Sequence, residues 1–274
     1  MTEPRVSVGM PVYNGGAYLG AALSSLCAQS RGDFELIISD NASTDESAAI
    51  AEGFATRDSR IRVVRQPENL GAIGNFHVVL KEARAPFFMW AASDDIWSPD
   101  WIERLLPVAE TRGCIAFGRV QTMDAGGNPV RHAVNGRDFS FTGPPGWRRI
   151  RYFLQPAFLG KANPIYGVFP RDLLLTEALS PFLRGGHGAD MLALYRLLRD
   201  VELVSIAGPT IFKRQHRGSA AMARGKQPMF RRTQLPDYLA LSSPLECAAL
   251  IAAFPLASAL IPLRRIAMHL TPPT

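Results

Sequence analysis

The sequence predicts an α/β fold: a mostly parallel sheet flanked by helices and followed by a C-terminal helical appendage. Short apolar runs recur in the first part of the chain, and turn-forming residues bound each run, as in strands that are buried on both faces. Segments with helical periodicity alternate with these runs, and this alternation is typical of parallel sheets. The runs occupy residues 6–12, 34–39, 61–64 and 87–92.

The intervening segments predict the helices in the same order. The first, over residues 17–29, places its leucines on one face. Thr44 is a suitable N-cap for the second helix, and the other two are predicted over residues 74–83 and 99–111. Because parallel strands end at one edge of a sheet, the loops that follow them form the expected ligand-binding edge.

The pattern becomes less regular after residue 122. A fifth strand is predicted over residues 114–122, and a loop rich in glycine, asparagine and proline follows it over 124–145. The later predictions are a helix over 146–159, a strand over 165–169, a helix over 189–198 and a strand over 201–207.

Composition places the chain among globular proteins. Of its 274 residues, 47% are hydrophobic and 20% are charged, which indicates neither disorder nor a fibrous repeat. Three widely spaced cysteines and an N-terminus without an apolar signal segment predict a reducing, cytoplasmic location.

The net charge of +6 is concentrated in one basic stretch. Residues 203–236 contain no Asp or Glu, so the stretch suits pyrophosphate or anionic lipid headgroups as partners. Few aromatic residues interleave with the charges, which disfavours nucleic acid as a partner. The basic residues of this stretch are Lys213, Arg214, Arg217, Arg224, Lys226, Arg231 and Arg232.

An apolar run of 17 residues occupies positions 247–263. Pro255 and Pro262 interrupt it, and it is shorter than the roughly 20 apolar residues that a full membrane crossing needs. Two interpretations stay open: a helix pair packed on the core or on an oligomer partner, and a hairpin at the membrane surface. Arg264 and Arg265, directly after the run, would suit an anionic cytoplasmic face.

The acidic pair Asp94 and Asp95 directly follows the fourth apolar run. Adjacent carboxylates repel each other and resist burial, so a strand end tolerates them mainly when a cation or hydrogen-bond donors compensate. A divalent metal is the obvious candidate, and the alternative is a solvated pair ahead of a helix. No G-x-G-x-x-G or P-loop motif is present, which disfavours both of those nucleotide-binding classes and leaves phosphate binding to the metal and the basic stretch.

Four segments resemble, in order, the motifs of the family 2 inverting glycosyltransferases with a GT-A fold. They are VSVGMPVYNGGAYLGAALSSL, ELIISDNASTDES, ENLGAIGNF and MWAASDDIWSPDWI, within residues 5–112. The resemblance implies inverting transfer of a sugar from a nucleotide-diphosphate sugar, commonly a UDP-sugar, to an acceptor hydroxyl. It also implies a divalent cation, Mn²⁺ or Mg²⁺, and a saccharide or glycolipid acceptor in the synthesis of cell-surface polysaccharide or glycolipid.

The resemblance assigns donor-binding roles by position. Pro11, Val12, Tyr13 and Asn14 resemble the loop that lies against the nucleotide base. Asp40 resembles the acid that accepts a hydrogen bond from that base. The residues that resemble the segment beside the base and ribose are Asn69, Gly71 and Asn75.

The acidic pair resembles the D-x-D region of the family, although Ala92 stands where many relatives have an acid. This departure leaves open which carboxylate binds the metal. We expect Asp95 to bind it and Asp94 to contact the sugar nucleotide. His216 resembles a histidine that approaches the metal and pyrophosphate, with Arg214 nearby as a phosphate donor.

Asp190 is the expected catalytic base. It resembles the family's base at the start of a helix after the acceptor segment, and a carboxylate within hydrogen-bond reach can take the acceptor's proton. The implied organisation is a nucleotide-sugar-binding half over 1–122, an acceptor-binding half with the basic loop over 123–236, and an apolar helical tail over 237–274. Two alternatives are kept: a non-catalytic donor-binding or assembly module at a membrane, and a sugar nucleotidyltransferase, which would ordinarily carry a basic glycine-rich loop after the first strand.

Overall fold

The central sheet has five strands, four of which run parallel in the order β3-β2-β1-β4. The computed structural model describes residues 3–176, 179, 188–216 and 234–255. A short antiparallel strand, β7 (Phe169–Pro170), completes the edge beside β4. The parallel strands are β1 (Val6–Val12), β2 (Phe34–Asp40), β3 (Ile61–Arg65) and β4 (Phe87–Trp90), which confirms the four predicted strands to within two residues.

The helices cover both faces of this sheet, as right-handed connections between parallel strands require. The helices α1 and α2 pack against each other, and α3 packs across β1 and β2. Their bounds are α1 (Gly16–Cys27), α2 (Ser47–Ala55), α3 (Gly71–Lys81) and α4 (Trp101–Arg112). The predicted α/β fold of the first half is therefore confirmed.

A second sheet has three strands in the order β5-β8-β6, and it adjoins the acidic pair. The strands are β5 (Ile96–Trp97), β6 (Ile115–Met123) and β8 (Leu203–Arg214). β8 runs parallel to β6 and antiparallel to β5. Since β5 begins one residue after Asp95, this pairing brings the end of β8 to the acidic pair.

One prediction in the later region is partly wrong, one is too long and one is too short. Of the strand predicted over 165–169, residues 165 and 166 belong to a 3-10 helix (Asn163–Tyr166) that has Pro164 near its start, and Phe169 begins the two-residue strand β7. The predicted helix over 146–159 is α5 (Pro145–Leu154), which ends because Gln155 is extended ahead of Pro156. The predicted strand over 201–207 continues as β8 to Arg214, through an irregularity in its pairing with β6.

The later helices are α6 (Arg171–Leu174), α7 (Ala189–Leu197), α8 (Gln234–Ala240) and α9, which covers residues 244–255. The C-terminal appendage consists of α8 and α9, and it packs on α5 and α7. The buried guanidinium of Arg149 in α5 donates to the carbonyl oxygens of Tyr195 and Leu241 and pairs with Glu246 at 2.6 Å. The helical appendage is thus confirmed for residues 234–255, while positions 256–263 of the apolar run lie outside the described residues.

Within the described ranges, every helix is too short or too polar to cross a membrane.

The close approach of β6 and β8 depends on Gly118. A Cβ at this position would lie 2.2 Å from the carbonyl oxygen of Pro209 and 2.5 Å from the ring of Trp101. Gly118→Ala should therefore destabilise the protein by about 2 kcal/mol, because the two strands must separate. Gly20→Ala is the matched control: a Cβ there meets nothing within 4 Å, and alanine favours the helix. Denaturant unfolding measures both, and equal stabilities would contradict the expectation.

Candidate active site

The loops that follow β1 and β2 are hydrogen-bonded to each other. Asn14, at a φ of +49°, accepts a hydrogen bond from the amide of Thr44 at 2.8 Å, and its own amide donates to the hydroxyl of Ser43 at 3.0 Å. The amide of Gly16 donates to the carboxylate of Asp45 at 2.9 Å. These bonds fix the predicted base-binding loop against the loop after β2, and the sequence does not predict the contacts of Ser43 and Asp45 with that loop.

The predicted base-binding residues are not equivalent. The Tyr13 side chain is 50% exposed beside Asn14, whereas Val12 is buried in the core. Val12 contributes its carbonyl oxygen, which accepts hydrogen bonds from the Asn41 amide at 2.9 Å and from the Asn75 side chain at 3.2 Å. The open surface of this loop is therefore formed by Tyr13 and Asn14.

Asp40 offers a buried, unoccupied acceptor at the end of β2. Its side chain is 1% exposed, and its Oδ1 atom accepts a long hydrogen bond of 3.4 Å from the amide of Ser43. Its Oδ2 atom has no hydrogen-bond partner among the described residues, and Nε of Arg65 stays 3.9 Å away. Since buried polar atoms are normally paired, this oxygen is available to a ligand donor.

Asparagines organise the segment between β3 and α3. The Asn41 side chain donates to Asn69 at 2.8 Å, and the same Asn69 oxygen accepts from the amide of Gly71, whose φ is +72°. Asn75 also donates to the carbonyl of Ser39 at 3.0 Å, while its own side-chain oxygen is buried and unpaired within the described residues. Asn41 also belongs to this network, and the sequence did not predict its role there.

The two acids of the pair have different partners. Asp95 is 1% exposed, and both its oxygens are engaged: Oδ2 with Nζ of Lys213 at 2.6 Å and Oδ1 with the amide of Arg214 at 2.9 Å. Asp94 is more open, and its Oδ2 atom lies 3.0 Å from Nε2 of His216. For Asp95, the expected charge compensation thus comes from Lys213, which the sequence identifies only as part of the basic stretch.

Burial and charge act in opposite directions on this ion pair. Burial raises the pKa of Asp95 and the Asp94 charge adds to that effect, while Lys213 and the Arg214 amide oppose it. Burial alone would lower the pKa of Lys213, but the negative charge of Asp95 raises it above its ordinary value. Lys213 therefore stays protonated at neutral pH and stabilises the Asp95 carboxylate.

Arg214 joins the acidic loop, which carries Asp94 and Asp95 after β4, to α1. Its Nε atom donates to the carbonyl of Asp94 at 3.1 Å and its Nη1 atom to the carbonyl of Ala125 at 2.9 Å. The guanidinium lies 4.7 Å from the centre of the Tyr18 ring, and that ring lies 4.7 Å from the ring of His216. Arg214 is buried, so these contacts hold the acidic loop in place.

The β1 loop also contacts the acidic loop. A Cβ on Gly15 would lie 3.0 Å from the hydroxyl oxygen of Ser93, so the Gly15 backbone lies close to the Ser93 side chain. Together with the contacts of Tyr18, this brings the loops after β1, β2 and β4 and the end of β8 to one edge of the molecule. The convergence of the strand-end loops expected from the strand order is therefore observed.

Asp190 lies at the start of α7, after Gly188 at a φ of +77°. Its carboxylate accepts a hydrogen bond from the amide of Met191 at 2.9 Å. Burial raises the pKa of Tyr166 to about 12; the Lys213 charge opposes this rise, and the charges of Asp95, Asp94 and Asp190 add to it. Tyr166 thus lies within the electrostatic range of both the acidic pair and Asp190.

Part of the predicted basic stretch falls outside the described residues. Positions 217–233 carry five of its basic residues, Arg217, Arg224, Lys226, Arg231 and Arg232. The part described before this gap, residues 203–216, ends with Lys213, Arg214, Gln215 and His216.

The open side of the acidic pair offers two candidate ligands for a divalent cation. Asp94 Oδ2 and His216 Nε2 lie 3.0 Å apart and share a hydrogen bond, which a cation bound to both atoms would replace, whereas both oxygens of Asp95 are held by Lys213 and the Arg214 amide. No cluster of three or more potential ligands occurs among the described residues. One or two protein ligands suffice for a cation that is bound mainly through substrate phosphates.

The fold and the convergence of polar loops at the strand ends define a protein of the GT-A class. Residues 7–170 match the family described as Glycosyl transferase family 2, and this match covers more than half of the chain. The protein therefore belongs to glycosyltransferase family 2.

Curated relatives match about half of the chain. The glycosyltransferase GlyG of Streptococcus pneumoniae is 30% identical over 135 residues, which cover 49% of this chain and 45% of GlyG. TuaG of Bacillus subtilis, named as a proposed teichuronic acid biosynthesis glycosyltransferase, is 33% identical over 129 residues, covering 47% of this chain and 51% of TuaG. The chain thus spans about half the length of these relatives.

Solved structures show the same fold over a larger part of the chain. The 1–349 fragment of S. aureus TarS in complex with UDP-GlcNAc superimposes with a TM-score of 0.61 at 18% identity, covering 86% of this chain and 64% of that one. The same fragment in complex with UDP gives a TM-score of 0.60 at 19% identity, covering 78% of this chain and 61% of that one.

The Asp95–Lys213 pair yields a stability prediction. Lys213→Met should lower the free energy of unfolding by about 3 kcal/mol or more, because it leaves the buried Asp95 carboxylate without its counter-ion. The double variant Asp95→Asn with Lys213→Met should regain part of this loss. Lys81→Met, at an exposed position on α3, is the control in denaturant unfolding. A loss at Lys213 no larger than that at Lys81 would contradict the assignment.

Proposed function

We propose that the protein transfers a sugar, with inversion, from a nucleotide-diphosphate sugar, most suitably a UDP-sugar, to an acceptor hydroxyl. The observation that carries this proposal is the buried Oδ2 atom of Asp40, which has no hydrogen-bond partner among the described residues and lies on the same edge as Asp94 and His216. The N–H donor of a nucleotide base fits the Asp40 end of this site, and a diphosphate fits the end formed by Asp94 and His216. Membership of glycosyltransferase family 2 and the fold shared with TarS, solved in complex with UDP and UDP-GlcNAc, support the proposal.

The nucleotide base lies, in this proposal, between the β1 loop and Asp40. A uracil presents one ring N–H, which can donate a hydrogen bond to Asp40 Oδ2. Folding has already desolvated this oxygen, so accepting the hydrogen bond adds no desolvation cost for the carboxylate. The exposed ring of Tyr13 offers a surface for the base, and Asn14 holds the loop that carries it. The network of Asn69, Gly71 and Asn75 forms the wall beside the base and ribose.

The diphosphate lies near Asp94 and His216. These two residues would hold the divalent cation, Mn²⁺ or Mg²⁺, whose positive charge offsets the charge that develops on the leaving group. We assign the metal to Asp94 in preference to Asp95, because both oxygens of Asp95 are engaged by Lys213 and the Arg214 amide. Asp95 and Arg214 then act as positioning residues that hold the acidic loop and the end of β8 together.

Asp190 acts as the base in the proposed reaction. The acceptor oxygen forms a bond to the anomeric carbon as the bond from that carbon to the diphosphate oxygen breaks, and UDP leaves with the bonding electrons. The acceptor proton passes to the carboxylate of Asp190. A single displacement of this kind inverts the configuration at the anomeric carbon.

The acceptor and the place of action follow from the organisation of the chain. Residues 1–122 form the donor half, and residues 123–236, with the basic loop, form the acceptor half. We propose a saccharide or glycolipid acceptor in the synthesis of cell-surface polysaccharide, as the name of TuaG suggests for that protein. The apolar run, with Arg264 and Arg265 after it, favours action at the inner face of the membrane.

The role of Asp40 is tested by nucleotide binding. Asp40→Asn should raise the Kd for UDP about tenfold or more, because the carboxylate acceptor for the ring N–H is lost. Asp33→Asn, just before the other end of β2, is the matched control and should leave the Kd unchanged. Isothermal titration calorimetry measures both, and an unchanged Kd for Asp40→Asn would exclude the proposed base contact.

The metal assignment is tested by the effect of manganese on UDP binding. Asp94→Asn and His216→Ala should each remove the increase in UDP affinity that Mn²⁺ produces, because each removes one protein ligand. Asp124→Asn, on a nearby loop, should preserve this increase. If Asp95→Asn abolishes the manganese effect while Asp94→Asn preserves it, Asp95 is the ligand, as the sequence predicts.

The base assignment is tested by separating binding from turnover. Asp190→Asn should lower the rate of UDP release in the presence of donor and acceptor about 100-fold or more while leaving the Kd for UDP unchanged. Asp237→Asn, an exposed acid on α8, is the control for turnover. A panel of nucleotide sugars and saccharide acceptors supplies the substrates, and wild-type turnover by Asp190→Asn would refute the assignment.

A further inference from the structure

The outward face of α9 carries apolar side chains only. Its polar residue, Glu246, turns inward to pair with Arg149, and Leu250 is fully buried. Leu245 is 85% exposed and Ile251 is 56% exposed. Isolated exposed apolar residues are ordinary on protein surfaces, but a helix face without a polar member marks an interaction surface. The exposed residues of α9 are Pro244, Leu245, Ala248, Ile251, Ala252 and Pro255.

An exposed tryptophan and two arginines adjoin this face. Trp147 at the start of α5 is 59% exposed, and its neighbour Gly146 lines an open pocket of about 680 Å³ together with Leu245. Arg196 and Arg199, from the C-terminal end of α7, line the same pocket. Leu245, Arg196 and Arg199 thus line one pocket, and Trp147 follows Gly146 at its edge.

We propose that this surface, formed by Trp147, Leu245, Ile251, Arg196 and Arg199, docks onto a membrane that contains anionic phospholipids. The aliphatic side chains of α9 enter the boundary between headgroups and acyl chains. Trp147 lies at headgroup level, where tryptophan side chains are enriched, and the two arginines contact lipid phosphates.

Charge favours a lipid surface over a second copy of this chain. The acid nearest the two arginines, Asp200, pairs with Arg196 at 3.1 Å and with Arg199 at 3.4 Å, so one positive charge is left over. The sequence that continues from α9, residues 256–274, contains Arg264 and Arg265 and no acid. A two-fold dimer through this face would bring these like charges together, whereas an anionic membrane attracts them.

This inference goes beyond glycosyl transfer and stands independently of it, because lipid binding is measured without donor or acceptor. Arg196 and Arg199 pair with Asp200, and Leu245 and Ile251 lie on α9, outside the loops that carry Asp40 and Asp94. Failure of vesicle binding would remove the proposed action at the membrane and leave the proposed sugar transfer intact, and loss of transfer would leave vesicle binding intact.

The test is cosedimentation of the full chain with vesicles. Binding to vesicles that contain about one third phosphatidylglycerol should exceed binding to pure phosphatidylcholine vesicles, and it should weaken as salt is added. Leu245→Ser with Ile251→Ser should lower the partition coefficient about tenfold or more. Arg196→Gln with Arg199→Gln should lower it for the anionic vesicles alone.

Leu175→Ser is the matched control, because Leu175 is also an exposed leucine, at 54%, but lies at the end of α6. It should bind vesicles as the wild type does. Circular dichroism checks that each variant is folded. No binding to anionic vesicles, or binding unchanged by Leu245→Ser with Ile251→Ser, would overturn the proposal. Sedimentation velocity that shows a dimer dissociated by the same double variant would identify a second copy as the occupant instead.

Discussion

The buried ion pair between Asp95 and Lys213 is the contact on which the geometry of the site depends. It joins the loop after β4 to the end of β8, two segments that lie far apart in the sequence, beside the point where β5 pairs with β8. Because Asp95 also accepts the Arg214 amide, the pair fixes the direction in which β8 continues toward His216. Without it, the approach of Asp94 and His216 would depend on the β5–β8 pairing and the Arg214 contacts, and the proposed cation position would be less closely defined.

This arrangement gives the two adjacent acids separate tasks. A protein lysine compensates the buried carboxylate, which leaves the more open one for an external cation. Ala92, where many relatives have an acid, is consistent with such a division, because fewer carboxylates then compete for one metal. The basic stretch, which in the sequence suggests only a phosphate-binding loop, begins with a residue that serves the acidic loop directly.

Much of the fold could be predicted from the sequence, because buried parallel strands and amphipathic helices leave local periodic signals. The position of Asp40 at a strand end was visible for the same reason. The partners of Asp95 were not, since Lys213 lies on β8, a strand whose pairing with β5 and β6 is set by tertiary packing. Asn41, Ser43 and Tyr18 were missed because their roles lie in contacts between loops, and the strand expected over 165–169 failed because Pro164 favours a 3-10 turn there.

A crystal structure of the protein with UDP and Mn²⁺ tests this account most directly. The account predicts that the uracil N–H lies within hydrogen-bond distance of Asp40 Oδ2 and that the metal is bound by Asp94 and His216, while Asp95 stays paired with Lys213. A metal bound by Asp95, with Lys213 displaced from it, would contradict the division of the acidic pair. Nucleotide bound away from the ends of β1 and β2 would contradict the proposed site as a whole.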